Sequence, residues 1–283
     1  MRLIFSIVII FMLVPPCYGF EKEKHRGFSD RAVDVYKTCT GRALTKELGD
    51  AFATASVEED TWGLSRARNW HYFNRDKKIG RYWKVILCNG SNEHIFHDRV
   101  KKFDDMLLSK AHSQDIYEVT GRLAHHIQDM SAPPHVMPIN HLLCDKVDHY
   151  VLGPVFVDHS KICKNVNGPV VGPHELLDGA AKNTLDAVAR PVEFADGKTV
   201  ENETWMKFWG GQDDSELSGF KTYGEYGNRF GAIPPCNSSA CQAYDKQVYD
   251  RFYADCYLRA VTDTVRLLIY LDKRLTELKQ PSN

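Results

Sequence analysis

This 283-residue sequence lacks three features that would assign it to a familiar class. Beyond its first residues it has no apolar stretch of the roughly 20 residues that a membrane span requires. Its formal net charge is only −1, which excludes binding to nucleic acid through a basic field spread over the whole chain. It contains neither a Gly-x-Ser-x-Gly nor a Gly-x-x-x-x-Gly-Lys stretch. A serine hydrolase of the nucleophile-elbow type and a P-loop nucleotide hydrolase are therefore not supported.

The first residues are typical of an export signal. Arg2 gives a basic start, residues 3–14 form an apolar run, and Cys17 and Gly19 occupy the −3 and −1 positions for cleavage before Phe20. The run is too short to span a bilayer. We therefore predict a signal peptide over residues 1–19, a mature domain over residues 20–283, and a secreted or periplasmic protein.

The cysteines are consistent with export, because an oxidising compartment allows them to pair. Of the eight cysteines, Cys17 falls within the signal, which leaves seven. Cys236 and Cys241 are close enough in sequence to form a small loop disulfide, whereas the other pairings stay open. An odd number leaves at least one thiol free, intermolecular or bound to metal, and Cys144 lies nearest to the other candidate ligands.

The spacing of apolar residues predicts helices throughout the chain. The predicted helices run from Ser29, as N-cap, to about residue 52, and over residues 93–112, 114–130, 174–190 and 243–278. Residues 193–239 are rich in Gly, Asn, Ser and Asp, with scattered aromatics, and are expected to form a functional rim or lid. The predicted fold is all-α: a single-domain multi-helix bundle with long loop insertions.

The region around residues 116–135 carries a pattern typical of a metal site. Its apolar residues recur at helical spacing, so His125 and Asp129 lie one turn apart on one face. The prolines at 133–134 end the helix, and His135 follows on the emerging chain. Neutral imidazole and carboxylate are ligands that zinc prefers. We therefore predict that these side chains bind a metal ion.

Other ligand-type residues precede this pattern. After cleavage, His25 lies five residues from the aromatic N-terminus at Phe20, and Asp60 and His71 flank an aromatic-rich stretch. In this order, and together with the His-x-x-x-Asp-x-x-x-x-x-His run, the chain resembles the zinc-dependent phospholipase C and S1/P1 nuclease superfamily. Those enzymes are exported all-helical proteins whose aromatic N-terminal residue is itself a metal ligand. The resemblance covers roughly residues 20–148.

The resemblance implies a trinuclear site that holds up to three zinc ions. In the family's arrangement, the first ion would be held by Asp60, His71, His125 and Asp129. Phe20 and His25 would hold the third ion, with Asp129 bridging the two ions. His135 would begin the second site.

The sequence offers more than one pair of residues to complete the second site, because the chain departs here from the family pattern. The family has a His-x-x-x-Glu/Asp pair downstream of His135. His141 and Asp145 match this spacing, whereas Cys144 and Asp148 match it within a more similar local context. His141 and Asp148, two helical turns apart, are a third option, and it is the one we favour.

Clustered zinc ions lower the pKa of a bound water to about 7 and stabilise in-line displacement at phosphorus. The predicted activity is hydrolysis of a phosphodiester, with Asp60 orienting the water or acting as general base. The family's nuclease branch reads Gly-Asp and then Gln-Pro, with Asp-x-Gly-Gly-Asn downstream. This chain has Gln128-Asp129 and no Gly-Gly-Asn. The resemblance therefore favours a phospholipase C, which releases diacylglycerol and a phosphorylated headgroup.

The expected substrate is phospholipid at a membrane surface, contacted by exposed aromatics of the 193–239 insertion. We expect a monomer without a stable nucleic-acid partner. One alternative is a single-strand nuclease of the S1/P1 type, for which basic residues between 66 and 78 would supply a binding strip. An alternative of another class is a non-catalytic exported metal-binding protein.

Overall fold

The structure is a computed structural model, and helices dominate the part of the chain that it describes. It describes residues 22–60, 71–73, 75, 92–137, 139, 145–153, 157–194, 197–212, 221–232 and 246–279. The helices are α1 (Lys22–Thr40), α2 (Lys46–Glu58), α3 (Asn92–Leu108), α4 (Ser113–Asp129), α5 (Pro133–Val136), α6 (His159–Val166), α7 (Pro173–Ala189), α8 (Met206–Trp209) and α9 (Lys246–Glu277). A two-stranded antiparallel sheet pairs β1 (Pro191–Glu193) with β2 (Thr199–Thr204). The all-α prediction is confirmed.

The first predicted helix is wrong in its bounds. Residues 29–52 do not form one helix, because the chain turns at Gly41, whose φ of 70° is left-handed and suits glycine. The N–H of Gly41 donates to the Lys37 carbonyl at 2.9 Å and closes the end of α1. Ser29 is not an N-cap. It is buried within α1 and donates to the Ser56 hydroxyl of α2 at 2.8 Å, so its hydroxyl joins two helices.

Helix α4 is the centre of the fold, and α1, α2, α3, α7 and α9 all contact it. It begins after His112, whose ring accepts a hydrogen bond from the Gln114 N–H. Helix α2 approaches α4 closely at Gly121. A Cβ there would lie 2.2 Å from the Phe52 carbonyl oxygen and 2.9 Å from the Ala55 Cβ. Only glycine therefore allows these two helices to pack as they do.

The two prolines after α4 begin a new helix, which the sequence did not predict. Helix α4 ends at Asp129, and Pro133 and Pro134 occupy the first turn of α5, where a missing N–H costs nothing. His135 therefore lies inside a short buried helix and not on an extended emerging chain.

A disulfide joins Cys39 of α1 to Cys163 of α6 across 124 residues of sequence. The sequence did not indicate this pairing, and the bond is compatible with an oxidising compartment. Cys256, within α9, is a free and buried cysteine. Burial raises the pKa of its thiol to about 11, which keeps it unreactive at neutral pH.

Four of the described aromatic residues of the insertion are buried, whereas Phe194, Tyr223 and Tyr226 are only partly buried. The buried ones form an aromatic cluster with α9: Trp205, Phe208, Trp209, Phe230, Tyr249 and Phe252. Trp205 stacks on Phe252 with ring centroids 4.2 Å apart. Burial of each of these rings stabilises the fold, because each removes a large apolar area from water. These buried residues therefore pack the described part of the insertion against α9.

Several sequence predictions lie outside the described residues. They concern the signal peptide, Phe20, the aromatic stretch over residues 61–70, His141, Cys144 and the Cys236–Cys241 pair. Across the described helices, none combines the length and the apolarity needed to cross a membrane.

Candidate metal centre

Five of the predicted ligands converge in one buried cluster, which we call the His/Asp centre. It consists of His25, Asp60, His71, His125 and Asp129. His25 lies on α1, Asp60 lies two residues beyond α2, and His125 and Asp129 lie one turn apart on α4. The helical spacing of His125 and Asp129 therefore places both side chains on one face of α4, as the sequence predicted.

Asp129 is the carboxylate that the three imidazoles share. Its Oδ2 lies 2.9 Å from His71 Nδ1 and 3.3 Å from His125 Nε2. Its Oδ1 lies 3.4 Å from His25 Nε2. Ligand atoms about 2.1 Å from a tetrahedral ion are about 3.4 Å from one another. The separations of His71 Nδ1 and His125 Nε2 from Asp129 Oδ2 therefore fit atoms that could surround one cation.

Asp60 presents a second carboxylate to the same imidazoles. Its Oδ2 lies 3.8 Å from His25 Nε2, and its Oδ1 lies 4.0 Å from His71 Nε2. Two groups of potential ligands result, His25–Asp60–His125 and His71–His125–Asp129, and the ligand atoms within each lie within 4.8 Å of one another. His125 belongs to both groups, so the two groups overlap at one imidazole.

Backbone carbonyls fix the protonation of two imidazoles. His125 Nδ1 lies 2.8 Å from the Ser56 carbonyl oxygen, and His135 Nδ1 lies 2.8 Å from the His71 carbonyl oxygen. A carbonyl only accepts, so Nδ1 carries the proton in each ring and Nε2 keeps its lone pair when the ring is neutral. Metal-binding histidines usually donate their other N–H in this way. The arrangement therefore fits metal binding through Nε2.

The charges of the centre favour a positive group at His125 Nε2. Burial alone would lower the pKa of His125, but the carboxylates of Asp129 and Asp60 outweigh it and raise this pKa to about 10. Burial likewise opposes ionisation of Asp129, yet the charges of His125 and His135 hold its pKa well below the usual range. A proton or a metal ion at His125 Nε2 would supply this positive charge. The two compete, because metal binding displaces protons from its ligands.

Asp60 is held in place by the end of α2. Its N–H donates to the Val57 carbonyl at 3.2 Å, and the neighbouring Glu59 is paired with Arg99 of α3. The Nε and Nη2 atoms of Arg99 lie 2.9 and 2.8 Å from Glu59 Oε1. Two charged hydrogen bonds to a largely buried carboxylate thus fix the segment that carries Asp60.

The predicted second site falls on a different kind of structure, the turn over residues 145–150. Both oxygens of Asp145 accept hydrogen bonds, Oδ1 from the Val147 N–H at 2.9 Å and Oδ2 from Trp209 Nε1 at 3.0 Å. The first bond closes an Asx turn. Asp145 thus has a structural role in the turn, which favours Asp148 over Asp145 as the ligand-type carboxylate there.

Asp148 is buried, but neither group of potential ligands includes it or His135. Burial, and next the Asp145 carboxylate, raise the pKa of Asp148 well above its ordinary value. Lys24 of α1 ties the turn to the rest of the fold, since its Nζ donates to the backbone carbonyls of Asp148 at 2.5 Å and Tyr150 at 3.0 Å. How the second site is completed remains a prediction, because His141 lies outside the described residues.

Sequence reasoning missed the residues that support the imidazoles. Ser56 accepts from His125 through its carbonyl, and Gln128 places its Oε1 2.8 Å from His25 Nδ1. Gln128 is adjacent to Asp129 in the motif, but no spacing rule identifies it. His126 is buried beside the centre, and within the described part of the chain neither of its ring nitrogens has a hydrogen-bond partner. Burial lowers its pKa well below the ordinary value, so this ring stays neutral.

Comparison with protein-family models, with curated proteins and with solved structures finds no match to this chain. The resemblance to the zinc-dependent phospholipase C and S1/P1 nuclease superfamily therefore stays a prediction from the motifs. The function has to be argued from the site itself.

Proposed function

We propose that this protein is an exported zinc-dependent phosphodiesterase of the phospholipase C type. The proposal depends above all on the His/Asp centre, where five buried ligand-type side chains face one another. Burying two carboxylates in one cluster is costly unless positive charge balances them. A site built only for stability would avoid this cost with apolar residues.

The chemistry of the ligand atoms favours zinc over calcium and magnesium. Imidazole nitrogens and carboxylate oxygens are the ligands of catalytic zinc sites. Calcium and magnesium prefer sites made of oxygen alone. His25, His71 and His125 contribute ring nitrogens to the centre, with Asp60 and Asp129 contributing carboxylate oxygens.

Bound zinc would lower the pKa of a water to about 7 and neutralise charge on the phosphoryl oxygens. Asp60 would accept the proton of the attacking water, because its carboxylate faces the centre and its backbone is fixed by the end of α2. Asp129 would orient the three imidazoles, each of which lies within 3.4 Å of one of its oxygens.

Phospholipid is the substrate that the sequence favours over nucleic acid. The chain has Gln128 where the nuclease branch has glycine, and its net charge of −1 supplies no general attraction for a polyanion. Export is supported by the Cys39–Cys163 disulfide. The buried aromatic cluster does not supply the membrane contact, so contact would fall to other parts of the surface.

The test combines metal analysis with activity assays on the purified protein. We expect bound zinc, release of diacylglycerol from phosphatidylcholine or phosphatidylglycerol vesicles, loss of this activity with a chelator, and its return with Zn²⁺. Asp60→Asn tests the role of this carboxylate in catalysis. Loss of turnover in a variant that folds like the wild type would assign the loss to the reaction and not to unfolding. Cleavage of single-stranded DNA without lipid cleavage would identify a nuclease instead. Zinc without either activity would indicate a metal-binding protein, and absence of zinc would refute the proposal.

A further inference from the structure

Gln128 lies beside the His/Asp centre, buried where α1, α4 and α9 meet. Its side chain makes three contacts. Oε1 lies 2.8 Å from His25 Nδ1, and Nε2 lies 3.0 Å from the Ser29 hydroxyl and 3.1 Å from the Thr264 hydroxyl. An amide oxygen only accepts and an amide nitrogen only donates. The direction in which this amide points therefore decides which His25 nitrogen carries a proton.

The surrounding hydroxyls determine the direction of the amide. The Thr264 hydroxyl donates to the Ala260 carbonyl at 2.7 Å. The Ser29 hydroxyl donates to Ser56 Oγ at 2.8 Å, and the Ser56 hydroxyl donates to the Ala53 carbonyl at 2.8 Å. Each hydroxyl has a single proton, so the Ser29 and Thr264 oxygens can only accept from Gln128. The NH₂ group must face both of them, which leaves the amide oxygen facing His25.

We infer that Gln128 is a positioning residue that sets the tautomer of His25. Because the amide oxygen only accepts, His25 must donate from Nδ1, and its Nε2 keeps a lone pair in the neutral ring. That nitrogen faces Asp129 Oδ1 at 3.4 Å and Asp60 Oδ2 at 3.8 Å, as a metal ligand would. The consequence for metal binding depends on the proposed function, whereas the tautomer itself does not.

The same residue of α2 fixes both stacked imidazoles. The Ser56 carbonyl accepts from His125, and the Ser56 hydroxyl supports Gln128 through Ser29. The rings of His25 and His125 stack with centroids 4.1 Å apart and planes inclined by 29°. Both rings donate from Nδ1 and present Nε2 to Asp129. The helix thus orients two ligand-type side chains through one residue.

The test reads the tautomer directly by nitrogen-15 NMR of histidine-labelled, metal-free protein, at a pH where His25 is neutral. We expect wild-type His25 to be protonated at Nδ1 only. Gln128→Met keeps the length of the side chain but removes the acceptor, so His25 should populate both tautomers. The Zn²⁺ affinity, measured by chelator competition, should fall about 10- to 100-fold, as is usual when an outer partner of a ligand is lost. Gln128→Glu keeps an acceptor oxygen and should preserve the wild-type tautomer.

A second pair of changes tests the hydroxyl network if Gln128→Met fails to fold. Ser29→Ala combined with Thr264→Val removes both acceptors of the NH₂ group, so the amide can turn and the tautomers should mix. Thr264→Val alone leaves Ser29 in place and should not change the tautomer. A neutral wild-type His25 protonated at Nε2 would overturn the inference, as would an unchanged tautomer in Gln128→Met. Wild-type protein with the expected tautomer but without zinc binding would refute the proposed function and leave the inference standing.

Discussion

The His/Asp centre and the turn over residues 145–150 both present buried carboxylates, but they are supported in different ways. In the centre, His125 and Asp129 stand on α4, and the His125 ring is fixed by a carbonyl of the adjacent helix α2. The turn is held by long side chains from elsewhere, Trp209 Nε1 at 3.0 Å and Lys24 Nζ at 2.5 Å.

The two regions differ in what holds their ligand-type atoms in position. Helix backbones and their carbonyls place ligand-type atoms with few rotatable bonds, which suits a metal site. A turn held by long side chains depends on each of those contacts. We therefore expect changes in the centre to affect metal binding, and changes around the turn to affect mainly stability.

The largest effect is expected from Asp129→Asn. The change keeps the shape of the side chain but removes the charge that three imidazoles share. Losing an outer partner of a ligand typically costs 10- to 100-fold in metal affinity, so losing this carboxylate should cost more than about 100-fold. Chelator competition with Zn²⁺ measures it, and Asp145→Asn is the matched control from the turn. Equal losses in the two variants would show that the contrast between the regions is false.

Gly121→Ala tests the closeness of α2 and α4. The added Cβ would lie 2.2 Å from the Phe52 carbonyl oxygen, so the helices must separate. Overpacking of this kind should lower the free energy of unfolding by about 3 kcal/mol, measured by urea denaturation. Gly49→Ala, within α2, is the control, since its Cβ would meet only Val33 Cγ1 at 3.8 Å. A tolerated alanine at 121 would mean that the helix contact is looser than it appears from the backbone.

Trp209→Phe removes the indole N–H that donates to Asp145 and keeps an aromatic ring in the aromatic cluster. A hydrogen bond to a charged group contributes about 1.5–3 kcal/mol, so the free energy of unfolding should fall by about 2 kcal/mol. The Zn²⁺ affinity of the His/Asp centre should stay within about threefold of wild type, well short of the loss expected for a ligand. A large loss of Zn²⁺ affinity would show that the turn and the His/Asp centre are coupled.

The smallest change at neutral pH is expected from His126→Leu, which should raise the free energy of unfolding by about 1 kcal/mol by removing a buried polar ring. Its pKa is lowered by burial, so the unfolded state takes up a proton below pH 6.5 that the folded state does not. The gain should therefore grow as the pH falls below 6.5. Denaturation at several pH values measures this, with exposed His94→Leu as control. A gain independent of pH would refute the neutral buried imidazole.

Local periodicity predicted only His125 and Asp129 of the centre, whereas His25, Asp60 and His71 were predicted through the family resemblance. His125 and Asp129 share a face of α4 because helical spacing alone places them there. The role of Ser29 was missed, since a hydroxyl in the middle of a helix can point toward a neighbouring helix that the sequence does not reveal. Contacts such as Gln128 with Thr264 and Trp209 with Asp145 join residues 136 and 64 positions apart, and no local pattern encodes them.

The Cys39–Cys163 bond also determines what a protease could separate. A single cut of the chain anywhere between Thr40 and Ile162 would leave both pieces joined through this bond. His25 lies before any such cut and Cys256 after it, so helices α1 and α9 would remain in one covalent unit. A nicked protein would therefore migrate as one band without reductant and as two bands with it, and only the reduced sample could lose α1, and the histidine it carries, by dilution.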